Sequence, residues 1–158
     1  MSEPATINPR LVEALYCEAL VLSDEVRAAF TMAGPMSSRF DTMRDDEDLA
    51  RIALSSEGLR TTTRMMHAVA WLLNHRAYFM GEISEFQLRR HGRLSPATRP
   101  RDASQFDLLG SEVQELIETT ERFYERLLWL DRSWRRTEEA GPSAIDRLRE
   151  RLERRLAG

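Results

Sequence analysis

The sequence predicts an all-α fold: an up-down-up three-helix bundle, with a short extra helix after the second long helix and an amphipathic C-terminal segment. Three observations carry this. Along three long stretches, apolar residues recur at spacings of three and four, the period of one helix face. Nowhere does the chain alternate apolar and polar residues as a half-buried strand does. The prolines fall between the periodic stretches, where they end helices rather than interrupt them. With 158 residues, 42% of them hydrophobic and 31% charged, the chain is long enough for one core. Residues 1–141 read as the bundle domain and 142–158 as an amphipathic, Arg-rich tail.

The first helix is expected to start with Asn8 as N-cap and Pro9 at the first helical position. Leu11, Leu15, Ala19, Leu22, Val26 and Phe30 form its inward stripe, with Cys17 in the core. Gly34-Pro35 ends it, and residues 34–45 read as a linker. The second helix is expected over residues 46–80, with Asp45, Asp46, Glu47 and Asp48 at its positive end. Its stripe is Leu49, Ile52, Ser56, Leu59, Thr63, Met66, Ala70, Leu73, Ala77 and Met80, which the same reasoning turns inward. Gly58 within it implies close packing, because glycine is unfavourable in a helix interior. Gly81 ends it, and Ser84-Glu85-Phe86-Gln87 is a capping box for a short helix to residue 91.

A loop with Pro96 and Pro100 leads to the third long helix, expected over 104–139. Its stripe is Leu109, Val113, Leu116, Thr120, Phe123, Leu127, Leu130 and Trp134. Gly141-Pro142 breaks it, and Ser143 caps a last segment with Ile145, Leu148, Leu152 and Leu156 on one side. In an up-down-up order the shorter first helix covers the early part of the second. Trp71, Leu72, His75, Tyr78 and Phe79 are then left uncovered beside Phe106, Leu108 and Leu109, as a candidate partner or dimer surface.

Several function classes are disfavoured. No lysine occurs, so Schiff-base chemistry and a phosphate-loop lysine are excluded. The single cysteine cannot form an internal disulfide. His67, His75 and His91 lack metal-ligand spacing, and no cofactor-binding motif is present. A net charge of -3 argues against a global affinity for nucleic acid or membrane. No segment reads as a signal peptide or a membrane span, so a cytoplasmic, non-enzymatic protein is expected.

Two constellations remain. Glu57, Arg60 and Arg64 share one helix face, as an ion-pair network that fixes register or as a recognition edge. Arg89, Arg90, Arg93, Arg99 and Arg101 form a basic segment that suits an acidic protein surface or phosphate. Together with Trp71, His75, Tyr78 and Phe79 these arginines are the expected partner-binding residues.

The pattern S-E-x-L-R-x-T-T-R-M-M-x-x-x-x-W-L-L-x-x-R-A-x-x-x-G-E-I, from Ser56 to Ile83, resembles the signature of the RcdA family. That alphaproteobacterial family is named for regulating degradation of the response regulator CtrA. The resemblance implies a three-helix bundle that acts as a non-catalytic adaptor. Its implied partners are ClpX and the ClpXP protease, companion adaptors and a response-regulator client, with a homodimer expected. The alternatives from the residues themselves are a structural homodimer and a nucleic-acid-associated regulator using residues 89–101.

Overall fold

A computed structural model describes residues 7–33, 44–96, 101–139 and 144–156. These form six helices: α1 (Pro9–Ala33), α2 (Arg44–Phe79), α3 (Glu85–His91), α4 (Ala103–Phe106), α5 (Ser111–Glu139) and α6 (Ala144–Leu156). No strand occurs among the described residues. The fold is an all-α bundle, with the expected short helix after α2 and a helical C-terminal segment. The turns expected at Gly34-Pro35 and Gly141-Pro142, and the cap expected at Ser143, lie outside the described residues.

The helix ends follow local chemistry. The Asn8 side chain accepts the Leu11 N–H at 2.9 Å, and Pro9, which has no N–H to satisfy, opens α1. At the end of α2, Gly81 takes φ 77°, a left-handed conformation that glycine adopts without steric cost. Its N–H donates to Tyr78 O at 3.0 Å and the Glu82 N–H donates to Ala77 O at 2.9 Å, the paired bonds of a Schellman closure. Ser84 caps α3 reciprocally: its hydroxyl accepts the Gln87 N–H at 3.2 Å, and Gln87 Oε1 accepts the Ser84 N–H at 2.8 Å.

The third long stretch divides in two. Asp102 caps α4 by accepting the Ser104 N–H at 2.9 Å, and α4 stops at Phe106. The Gln114 amide then donates to the carbonyls of Phe106 at 2.9 Å and Leu109 at 3.0 Å. These bonds hold the turn before α5 in place of continuous helix.

The directions of the helices differ from an up-down-up order. α1 is antiparallel to α2: Glu13 pairs with Arg76 at 2.6 Å, while Phe30 lies against Gly58. α5 runs the same way as α2, since Arg64 meets Thr120, Trp71 meets Asp131, and His75 meets Trp134. The chain returns between them along α5, with Arg135 donating to Arg89 O, Tyr124 to Ser95 O, and Arg101 pairing with Glu118. That connection is long enough to span the bundle, so the constraint that short links impose on neighbouring helices does not apply.

The core mostly gathers the expected residues of α1 and α5. Leu15, Ala19, Leu22, Val26, Phe123, Leu127 and Leu130 are buried, joined by Ile117, Tyr124 and Leu128. Cys17 is a correction: it is exposed, on the outer side of α1. The larger correction is α2. Its buried side is Ala53, Glu57, Thr61, Arg64, Met65, Ala68, Trp71, Leu72 and His75. The large residues of the expected inward stripe face outward instead. Apolar residues thus occupy two sides of α2, and the side facing α5 is the one that mixes in polar groups.

Candidate functional site

The outward face of α2 is the feature that fold stability leaves unexplained. Leu49, Ile52, Leu59, Met66, Leu73 and Met80 are all exposed, with Leu59 at 72% and Met66 at 65%. Ile52, Leu59, Met66, Leu73 and Met80 recur every seven residues, and Leu49, Ser56, Thr63, Ala70 and Ala77 interleave with them. This is a heptad seam, large residues at one position and mainly small ones at the other. A helix that needs only one buried face has no use for a second.

α1 widens the face into a groove. About 780 Å³ of open space lies between the two helices, walled by Leu20, Val26 and Phe30 on α1 and by Met66, Val69 and Leu73 on α2. The Phe30 ring closes its lower end because Gly58 admits it: an added Cβ would stand 3.0 Å from Phe30 Cδ1. The close packing inferred from Gly58 is therefore present.

The polar residues of α2 act within the bundle. Glu57 is fully buried, with Arg60 Nη1 at 3.4 Å. Arg64 Nη1 donates to Thr120 Oγ1 at 2.9 Å, and Nη2 approaches Glu121 Oε1 at 3.4 Å. Burial lowers the Arg64 pKa, opposed by the charges of Glu121 and Glu57. Arg101 joins the network by pairing with Glu118 and Glu121 and lies 3.9 Å over the Phe106 ring. This geometry is that of a network fixing the register of α2 against α5.

Farther up, Trp71 donates its indole N–H to Asp131 at 3.0 Å, and Arg135 donates to the other oxygen of Asp131 at 3.1 Å. His75 lies between Trp71 and Trp134, with ring centroids 4.1 and 5.3 Å away. Burial lowers its pKa to about 4, while Asp131 opposes the shift and Arg135 adds to it.

Several expected partner residues fall elsewhere. Trp71, Leu72 and His75 are buried rather than uncovered, because α5 runs beside α2 to this level. Phe106 and Leu109 are buried at the opposite end, near Ala53 and Ile117. Tyr78 is half-buried and Phe79 exposed, their rings 5.2 Å apart. The basic segment does not act as one patch. Arg89 pairs with Glu85 and stacks over Trp134, and Arg101 is tied down near the start of α5. Arg90 and Arg93 are exposed, and Arg99 lies outside the described residues. Trp129, singled out by no motif, is 51% exposed on α5, where Arg126 and Arg132 flank it at helical spacing.

No helix among the described residues is long and apolar enough to cross a membrane. Comparison with curated proteins and with solved structures finds no match. A family model does match, over residues 4–156, nearly the whole chain. The chain belongs to the family described as "Protein of unknown function (DUF1465)".

Proposed function

We propose that this protein is a non-catalytic adaptor of the RcdA type, acting in the cytoplasm to help deliver response regulators such as CtrA to the ClpXP protease, with companion adaptors. The observation that carries the reading is the exposed apolar seam of α2 on a bundle whose own core is already complete. Extended apolar faces on otherwise polar proteins are binding surfaces. The signature residues divide between two uses that an adaptor needs. Arg64 and Trp71 fix α2 to α5, with Glu57 buried on the same side and paired with Arg60 of α2, while Leu59, Met66 and Leu73 stand outward. A nucleic-acid role for residues 89–101 has less support, because Arg89 and Arg101 are engaged by carboxylates of the same chain.

The test is a reconstituted degradation reaction with ClpXP, the companion adaptors and a CtrA-like response regulator. Adding the full chain is expected to shorten the half-life of the regulator. An unchanged half-life for every regulator tried would contradict the delivery role.

A further inference from the structure

We infer that the exposed face of α5 centred on Trp129 is a second protein-binding surface, and that it takes an acidic protein segment carrying apolar side chains. The face lies on a different helix from the α2 seam, and the inference does not rest on the delivery reading.

Charge identifies the partner. The chain as a whole carries a net charge of -3. Between residues 122 and 136, however, the exposed positions of α5 are Arg122, Glu125, Arg126, Trp129, Arg132 and Arg136, four arginines against one glutamate. Arg126 is held by Glu18 of α1, its two terminal nitrogens 3.0 and 2.9 Å from the carboxylate oxygens. Arg122 donates to the Thr119 hydroxyl at 3.1 Å, a neutral partner that leaves its charge uncompensated. Arg132 and Arg136 form no ion pair among the described side chains. Guanidinium groups standing free in this way suit carboxylates, which they engage through paired hydrogen bonds.

The neighbouring chain extends the same charge. Arg135 donates to Arg89 O at 3.0 Å and Tyr124 donates to Ser95 O at 2.7 Å, so residues 89–95 run along one flank of α5. Gly92 and Leu94 are buried there, while Arg90 and Arg93 stand exposed. The opposite flank is closed by Glu18 of α1.

Trp129 supplies the apolar centre. It is 51% exposed, and among the described residues no other large apolar side chain of α5 is exposed. Arg126 and Arg132 lie three positions to either side and Glu125 four before, so charged groups ring the indole. A large rigid anchor inside a polar rim is the anatomy of an interface centre, where tryptophan and arginine are enriched. A nucleic acid suits the face less well. Glu125 lies within it and Glu18 beside it, and every nucleotide brings a negative charge, whereas a protein can set a basic side chain opposite Glu125. From Arg122 to Arg136 the face is roughly 21 Å long, the reach of one short helical segment.

Peptide binding by the full chain tests the inference through fluorescence anisotropy. The probe is a fluorescein-labelled amphipathic helical peptide of Glu and Leu, as long as the face itself. Its controls are the same peptide with every Glu replaced by Lys, and a labelled oligothymidine as single-stranded nucleic acid. The Glu/Leu peptide is expected to bind, more weakly as salt rises, and the Lys/Leu peptide is not. Trp129→Ala should weaken binding about ten-fold or more. Arg132→Glu combined with Arg136→Glu should abolish it and transfer the preference to the Lys/Leu peptide, a gain that an unfolded variant cannot show. Met66→Glu, on the α2 seam, should leave binding unchanged, which separates the two surfaces. Absence of Glu/Leu binding at low salt would overturn the inference. So would equal affinity in Trp129→Ala, or a loss confined to Met66→Glu. Tighter binding of oligothymidine than of the Glu/Leu peptide would assign the face to nucleic acid and overturn it as well.

Discussion

Trp71 and Asp131, sixty positions apart in sequence, are both buried and joined by a 3.0 Å hydrogen bond from the indole N–H to the carboxylate. The bond locks the upper halves of α2 and α5 in parallel register. It also explains why the signature tryptophan is unavailable to partners. Asp131→Ala leaves the indole N–H and Arg135 without their acceptor and is expected to destabilise the protein by about 2–3 kcal/mol, the loss for a buried charged partner. Urea denaturation measures it, and Trp71→Phe, which leaves Asp131 its bond from Arg135, should lose less.

His75 makes stability depend on pH. Its folded pKa of about 4 lies below the ordinary value of 6.5, so the unfolded chain binds more protons between those values. The contribution of the neutral, buried imidazole is fully present above pH 6.5 and declines as pH falls toward 4. At about 1.36 kcal/mol per unit, the decline amounts to about 3 kcal/mol from this residue. His75→Phe, which cannot titrate, should have a flatter stability profile over that range in urea titrations at stepped pH.

Arg64 is expected to be the most sensitive polar position. Arg64→Ala removes the donor to Thr120 and leaves the buried Glu57 and the half-buried Glu121 with less compensation. A loss of about 3–5 kcal/mol follows for breaking a buried pair. Arg64→Lys supplies a single ammonium where two nitrogens reach two acceptors, so it should recover only part of the loss. Thermal and denaturant unfolding of the pair of variants checks both statements.

Gly58 separates helix propensity from packing. Alanine there gains up to about 1 kcal/mol of helix propensity. Its Cβ, however, presses on the Phe30 ring at 3.0 Å. Gly58→Ala should stay within about 1 kcal/mol of the wild type, whereas Gly58→Val, which overfills the contact, should lose about 1–3 kcal/mol. Both values come from the same unfolding experiment.

Much of this architecture is legible in the sequence because local signals and tertiary packing agree. Asn8-Pro9 starts α1, the Ser84 box starts α3, and the stripes of α1 and α5 lie in the core. α2 defeats the same reading for a physical reason. Its inward side includes Glu57, Thr61, Arg64 and His75, and its outward side holds Leu59, Met66 and Leu73. Turning the apolar stripe inward assumes that the only apolar neighbour of a helix is its own chain. That assumption hides the seam by assigning its residues to the core, whereas the expected up-down-up order is what leaves Trp71 and His75 uncovered. The direction of α5 was illegible for another reason. The segment between α2 and α5 is long enough for either direction, and only contacts such as Tyr124 with Ser95 decide it.

The central claim is that the α2 seam is a protein-binding surface that serves client delivery, and the half-life of a CtrA-like response regulator in the reconstituted ClpXP reaction tests it most directly. The full chain is expected to shorten that half-life, and Met66→Glu, a change at an exposed seam position, is expected to remove most of the effect while circular dichroism shows the fold unchanged. A wild type that leaves the half-life unchanged, or a Met66→Glu variant as active as the wild type, would contradict it.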